Sequence, residues 1–119
     1  MDIFYAFSTD NEAAEAGRDF PLGNGVTLKI AKLANAAFIA KRRELIEEAG
    51  DLTDEASNQL LTRCMAHTTL VGWSGPLAFK GRPLAYSPEN AEILLGVEEF
   101  RDLVLEIAGD ADNFRVIPA

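Results

Sequence analysis

With 119 residues, the chain has the length of one domain and enough material for a core of its own. A hydrophobic fraction of 48% excludes a disordered chain, and a formal charge of -8, from 19 acidic side chains against 11 basic ones, makes nucleic acid a repelling partner. One Cys excludes an internal disulfide and suits a reducing cytoplasm; no apolar run reaches the ~20 residues of a membrane span, and the N-terminus does not read as a signal peptide.

Ile3, Phe4, Tyr5 and Phe7 form an aromatic run with strand character. Ser8 to Gly17, acidic and alanine-rich, reads as a loop or a single helical turn. Asp19-Phe20-Pro21-Leu22 leads into Gly23-Asn24-Gly25, and Asn-Gly signals a tight turn because both residues tolerate positive φ. Val26, Leu28 and Ile30 then alternate with Thr27, Lys29 and Ala31, the period of a half-buried strand. A β-hairpin or small meander is expected in this first third.

From about Leu33 the period becomes helical. Ala34, Ala37, Phe38, Arg42, Leu45, Ile46 and Ala49 lie near one face, with Arg42 its polar interruption, and Gly50 stops the helix. Thr53 caps the next helix, whose stripe is Ala56, Leu60, Leu61, Cys64 and Met65 and whose end falls near His67. An extended segment runs to Gly72-Trp73. Ser74-Gly75-Pro76 and Lys80-Gly81-Arg82-Pro83 are turns on either side of Leu77-Ala78-Phe79. Ser87 is an N-cap, Pro88 fits the first helical position, and Glu89 and Glu92 place negative charge near the helix start. Gly96 breaks that helix. Phe100, Leu103, Val104, Ile107 and Ala108 make the apolar stripe of the last one, which Gly109 ends. The pattern predicts one domain over residues 1–119. Its class is α+β, predominantly helical, with a small N-terminal antiparallel hairpin or sheet packed on about four amphipathic helices.

Residue chemistry points away from catalysis. Cys64 and His67 lie near each other in sequence, but no further Cys or His completes a zinc set, and Cys64 lies on an apolar stripe where a thiol acts as a small hydrophobe. Glu44, Glu47, Glu48 and Asp51 are acidic neighbours without a loop to wrap them round one ion. Asp110, Asp112 and Asn113 start like a calcium loop but lack its central Gly and closing Glu. Gly23-Asn24-Gly25 precedes a strand, so it lacks the helix N-terminus of a phosphate loop. By elimination the residues predict a binding protein, not an enzyme, with no catalytic residue, metal or cofactor. The candidate partner-binding residues are Trp73, Leu77, Phe79 and Tyr86, which either close over the core or form an interface, and Phe114, Val116 and Ile117 in the tail, which either dock on the fold or seek a partner.

The order Gly72-Trp73, a short Gly/Pro connection, Gly81-Arg82-Pro83-Leu84, Tyr86-Ser87-Pro88-Glu89-Asn90-Ala91, Leu94-Leu95 and Phe100-Arg101-Asp102-Leu103-Val104 resembles the tail assembly chaperones of long-tailed bacteriophages. Leu28-Lys29-Ile30-Ala31-Lys32 followed by Asn35 is similar to the same family. The resemblance implies a small phage or prophage protein in the cytoplasm of the bacterial host, absent from the finished tail. It implies binding to the tape measure protein, recruitment of the tail tube protein, and self-association. Many such chaperones have a frameshifted longer form, and this chain looks like the short product or a single-form relative. Neither a nucleic acid nor a membrane is an expected partner. The rival expectation is a bacterial regulatory or antitoxin-like module that binds one partner protein.

Overall fold

The sheet is built around one strand. In the computed structural model, which describes residues 1–50 and 53–118, Val26–Ile30 (β2) buries Val26, Leu28 and Ile30 and turns Thr27 and Lys29 outward, the alternation expected of a half-buried strand. Asn24 and Gly25, at φ 54° and 79°, turn the chain back from Arg18–Gly23 (β1), so β1 and β2 form the expected antiparallel hairpin. Leu70–Ser74 (β3) pairs antiparallel with the other edge of β2. The sheet order is β1-β2-β3, and its third strand comes from mid-chain. Lys29 pairs with Gly72 and Ile30 with Leu70, so Val71 is the extra residue of a bulge.

Two helices cross from β2 to β3. Ala36–Ala49 (α3) starts later than the periodicity predicts. Ala34 stands ahead of the helix at φ 59°, and Asn35 is the N-cap. Phe38 and Leu45 are buried as expected, but Ala37, Arg42 and Ala49 are exposed. Among the described residues α3 packs chiefly on a single neighbour, which needs only a narrow stripe. That neighbour, Asp54–Thr68 (α4), is capped by Thr53, whose hydroxyl accepts from the Ala56 N–H (3.1 Å). It buries Cys64, Met65, Ala66 and Thr68, and also packs on Pro88–Leu95 (α5). Ser87 caps α5 by accepting from the Asn90 N–H (3.0 Å), with Pro88 at the helix start. Glu98–Gly109 (α6) adds Val104 and Ala108 to the core. The class is therefore α+β and helix-dominated, with the sheet largely N-terminal.

The two ends of the chain overturn a local expectation. Ile3–Phe7 is a helix (α1), not a strand. Asp2 caps it, its carboxylate accepting from the Phe4 N–H (3.0 Å), and among the described residues no strand pairs with it to reward the aromatic run's β preference. Asn11–Ala16 (α2) follows, capped by Asp10. After α6, the 3-10 turn Ala111–Phe114 (η1) leads to a tail that docks on the N-terminal segment. Arg18 holds this junction: its guanidinium donates to the Asn113 carbonyl (3.1 Å), the Arg115 carbonyl (2.8 Å) and the Asp10 carboxylate (3.2 Å).

Asn35 is buried and ties three segments. Its Oδ1 accepts from the Phe38 N–H (2.8 Å), and its Nδ2 donates to the Lys32 and Thr68 carbonyls (3.0 Å each). Replacing Asn35 by Ala strands a cap N–H and a buried carbonyl, so urea denaturation is expected to show a loss of about 2 kcal/mol. Asn35→Asp keeps the cap but sets a carboxylate against two carbonyls, and is expected to lose at least as much.

Candidate functional site

The segment after β3 folds on itself. Ser74-Gly75-Pro76 turns sharply, with Gly75 at φ 89°; a Cβ there would overlap the Gly25 carbonyl oxygen, so the two turns pack backbone to backbone. Ala78–Phe79 (β4) and Arg82–Pro83 (β5) then form a minimal hairpin over Lys80-Gly81, both at positive φ. The Leu84 N–H donates to the Leu77 carbonyl (3.0 Å), and the Trp73 indole N–H donates to the Leu84 carbonyl (2.9 Å). Trp73 meets Tyr86 edge to face, with ring centroids 5.1 Å apart at 78°. Asn90, in the first turn of α5, donates from its side chain to the Ala85 carbonyl (2.8 Å). A small shelf results, locked to β3 on one side and α5 on the other.

Trp73, Leu77, Phe79 and Tyr86 thus come together on the shelf. Leu77 is buried and belongs to the core, whereas Trp73, Phe79 and Tyr86 are partly buried against it and keep some exposed surface. Lys80 lies over the Phe79 ring at 5.6 Å from its centroid. The tail residues lie elsewhere and divide. Phe114 is fully buried, edge-on to Phe20 at 6.0 Å, so its side chain presents no surface. Val116 is half-buried, and its N–H donates to the Ser8 carbonyl (3.0 Å). Ile117 is exposed. The two groups are linked through the sheet: Phe20 pairs with Leu28 and Leu28 with Trp73. Directly opposed residues share a face, so Phe114, Phe20, Leu28, Trp73 and Tyr86 make one continuous row of side chains.

Cys64 and His67 do not converge. Cys64 is fully buried, its thiol donating to the Phe38 carbonyl at 3.4 Å, while His67 is exposed. Burial pushes the Cys64 thiol above its ordinary value of 9.0. Glu44, Glu47 and Glu48 are exposed, Glu44 paired with Lys41 at 3.4 Å, and Asp51 lies outside the described residues. No three His, Cys, Asp or Glu side chains gather into a possible metal site among the described residues. No described helix is long and apolar enough to cross a membrane. A shallow groove of about 250 Å3, lined by Leu45, Ala49, Ala56 and Leu60 among others, separates α3 from α4, and no sequence motif pointed to it.

Replacing Trp73 by Phe keeps the ring contact but leaves the Leu84 carbonyl without its donor, an expected loss of about 1 kcal/mol in urea denaturation. Trp73→Ala also removes the ring and is expected to cost about 3 kcal/mol. Burial, reinforced by Glu89, holds the Tyr86 phenol above its ordinary value of 10.0. The fold therefore favours the protonated phenol. Its contribution to stability is full below pH 10 and is lost as pH rises through the raised value. Alkaline unfolding of Tyr86→Phe should accordingly be less steep than that of wild type.

Comparison with curated proteins and with solved structures returns no match for either. A protein-family model described as YdaY prophage protein matches residues 27–116, from β2 to the tail segment that follows η1. It spans the whole shelf and most of the chain, and the protein belongs to the YdaY prophage protein family.

Proposed function

We propose that this prophage protein is a non-catalytic chaperone of tail assembly, covering the tape measure protein while tail tube subunits are recruited to it. One observation supports the chaperone role: Trp73, Phe79 and Tyr86, partly buried against the core, each keep some exposed surface on a shelf whose backbone is hydrogen-bonded into place. The motif order that resembles tail assembly chaperones runs through this same shelf, and the prophage family match supports the setting.

The chemistry suits such a client. A tape measure protein is long and helical, and its apolar stripes need cover before assembly. Aromatic anchors on a rigid shelf take up side chains at helical spacing with little ordering cost. The charge of -8 keeps coated complexes apart and draws basic stretches of the client. Acidic side chains then set the association rate and its salt dependence, and the rings set dissociation.

Co-expression with the tape measure protein of the same prophage tests the assignment. Wild type is expected to keep the client soluble and to co-purify with it. Phe79→Asp, folded by circular dichroism, is expected to lose most of that yield. A tape measure protein equally insoluble with and without this chain means the chaperone assignment is wrong, and a toxin or sensor gene as neighbour would favour a regulatory partner instead.

A further inference from the structure

The segment that builds the shelf has no acidic side chain. From Ala56 to Pro88 there is no Asp or Glu, although the whole chain carries 19. Its Lys and Arg residues are Arg63, Lys80 and Arg82. Arg63 meets Glu92 at 3.5 Å, whereas among the described residues no carboxylate lies within ion-pair distance of Lys80 or Arg82. Both are exposed, at the tip of the β4–β5 hairpin. Arg82 pairs with Phe79 across that hairpin, so the two share a face, and the Lys80 Nζ lies over the same ring. Two cations therefore frame the Phe79 edge of the shelf. The next carboxylate in sequence, Glu89, acts on Tyr86 at the α5 side.

The backbone of this tip does not call for a lysine. The β1–β2 and β4–β5 hairpins both turn over two residues at positive φ. Asn24-Gly25 uses the favoured pair. Lys80-Gly81 instead holds a Lys at φ 51°, where Asn, Asp or Gly sits with less strain. What Lys80 adds to the turn is a positive charge, steadied over an aromatic ring.

We infer that the tip Phe79-Lys80-Gly81-Arg82 takes an acidic segment of a protein partner, in which Asp or Glu flanks an apolar side chain. The inference deepens the reading of the shelf as a binding surface and rests on it. Arg82 offers a planar fork that matches a carboxylate, and Lys80 offers a point charge. The apolar side chain between the carboxylates meets the exposed edges of Phe79 and its neighbours. The overall charge of -8 draws basic stretches to the rest of the exterior, so the tip is a local reversal of sign that fixes which part of the partner lies on the shelf. A single-stranded nucleic acid fits less well. It stacks bases on ring faces, but Lys80 covers a face of Phe79, and Trp73 and Tyr86 meet edge to face. Beyond the tip its phosphates would face an acidic protein.

Two synthetic helical peptides test this, sharing one apolar stripe and carrying either Glu or Lys beside it. Trp73 is the chain's only Trp, so its fluorescence reports binding at the shelf. At low ionic strength the Glu peptide is expected to bind about tenfold tighter than the Lys peptide, and added salt to narrow the gap. Lys80→Asn/Arg82→Gln removes both charges and suits the turn, so it is expected to abolish the Glu preference with unchanged circular dichroism. Equal binding of the two peptides to wild type, a tighter Lys peptide, or a Glu preference that survives the double variant overturns the inference. Binding of neither peptide overturns it together with the reading of the shelf as a binding surface. A single-stranded oligonucleotide that binds where the Glu peptide does not overturns it in favour of nucleic acid. A Glu preference that the double variant abolishes, beside a tape measure protein that stays insoluble, upholds the tip and removes only the client.

Discussion

The pairing of Leu28 with Trp73 holds the molecule together across the longest loop in the sheet. Leu28 is almost fully buried at the centre of the middle strand, and everything between it and Trp73 is the α3–α4 crossover. Closing that loop costs chain entropy, which the apolar contacts of β2, β3 and α4 must offset. Once Trp73 is set beside Leu28, its indole N–H reaches the Leu84 carbonyl and its ring meets Tyr86. The shelf is thus positioned by the sheet. The same row extends the other way through Phe20 to Phe114, so the tail is anchored by the strand that the hairpin turn supplies.

Polar side chains complete what the apolar row begins. Asn35 satisfies the first turn of α3 and a carbonyl at the end of α4 with one amide. Arg18 does the same for the tail, neutralising Asp10 while accepting no hydrogen bond itself. Among the described residues no buried side-chain nitrogen or oxygen lacks a partner. Such groups are costly to leave unpaired, which makes Asn35 and Arg18 determinants of chain path more than of net stability.

The surface divides by chemistry into three parts. An acidic exterior sets solubility and long-range attraction, the Trp73–Phe79–Tyr86 shelf offers rigid aromatic edges, and α1 offers a near-neutral apolar face.

Local chemistry made much of this legible in the sequence. The Asn24-Gly25 turn, the alternation of β2, the Thr53 and Ser87 caps and the stripes of α4 and α6 each follow from a backbone or periodicity rule acting within a few residues. The gathering of Trp73, Leu77, Phe79 and Tyr86 was legible for the same reason, since turns closed the segment on itself. Tertiary structure decided the rest. Whether Ile3–Phe7 forms a strand depends on a neighbouring strand, and among the described residues none pairs with it, so the Asp2 cap prevails. Phe114 and Ile117 are both apolar tail residues, yet Phe114 is buried, edge-on to Phe20 of β1, and Ile117 is exposed. Burial is a property of two surfaces meeting, and a sequence read alone carries only one of them.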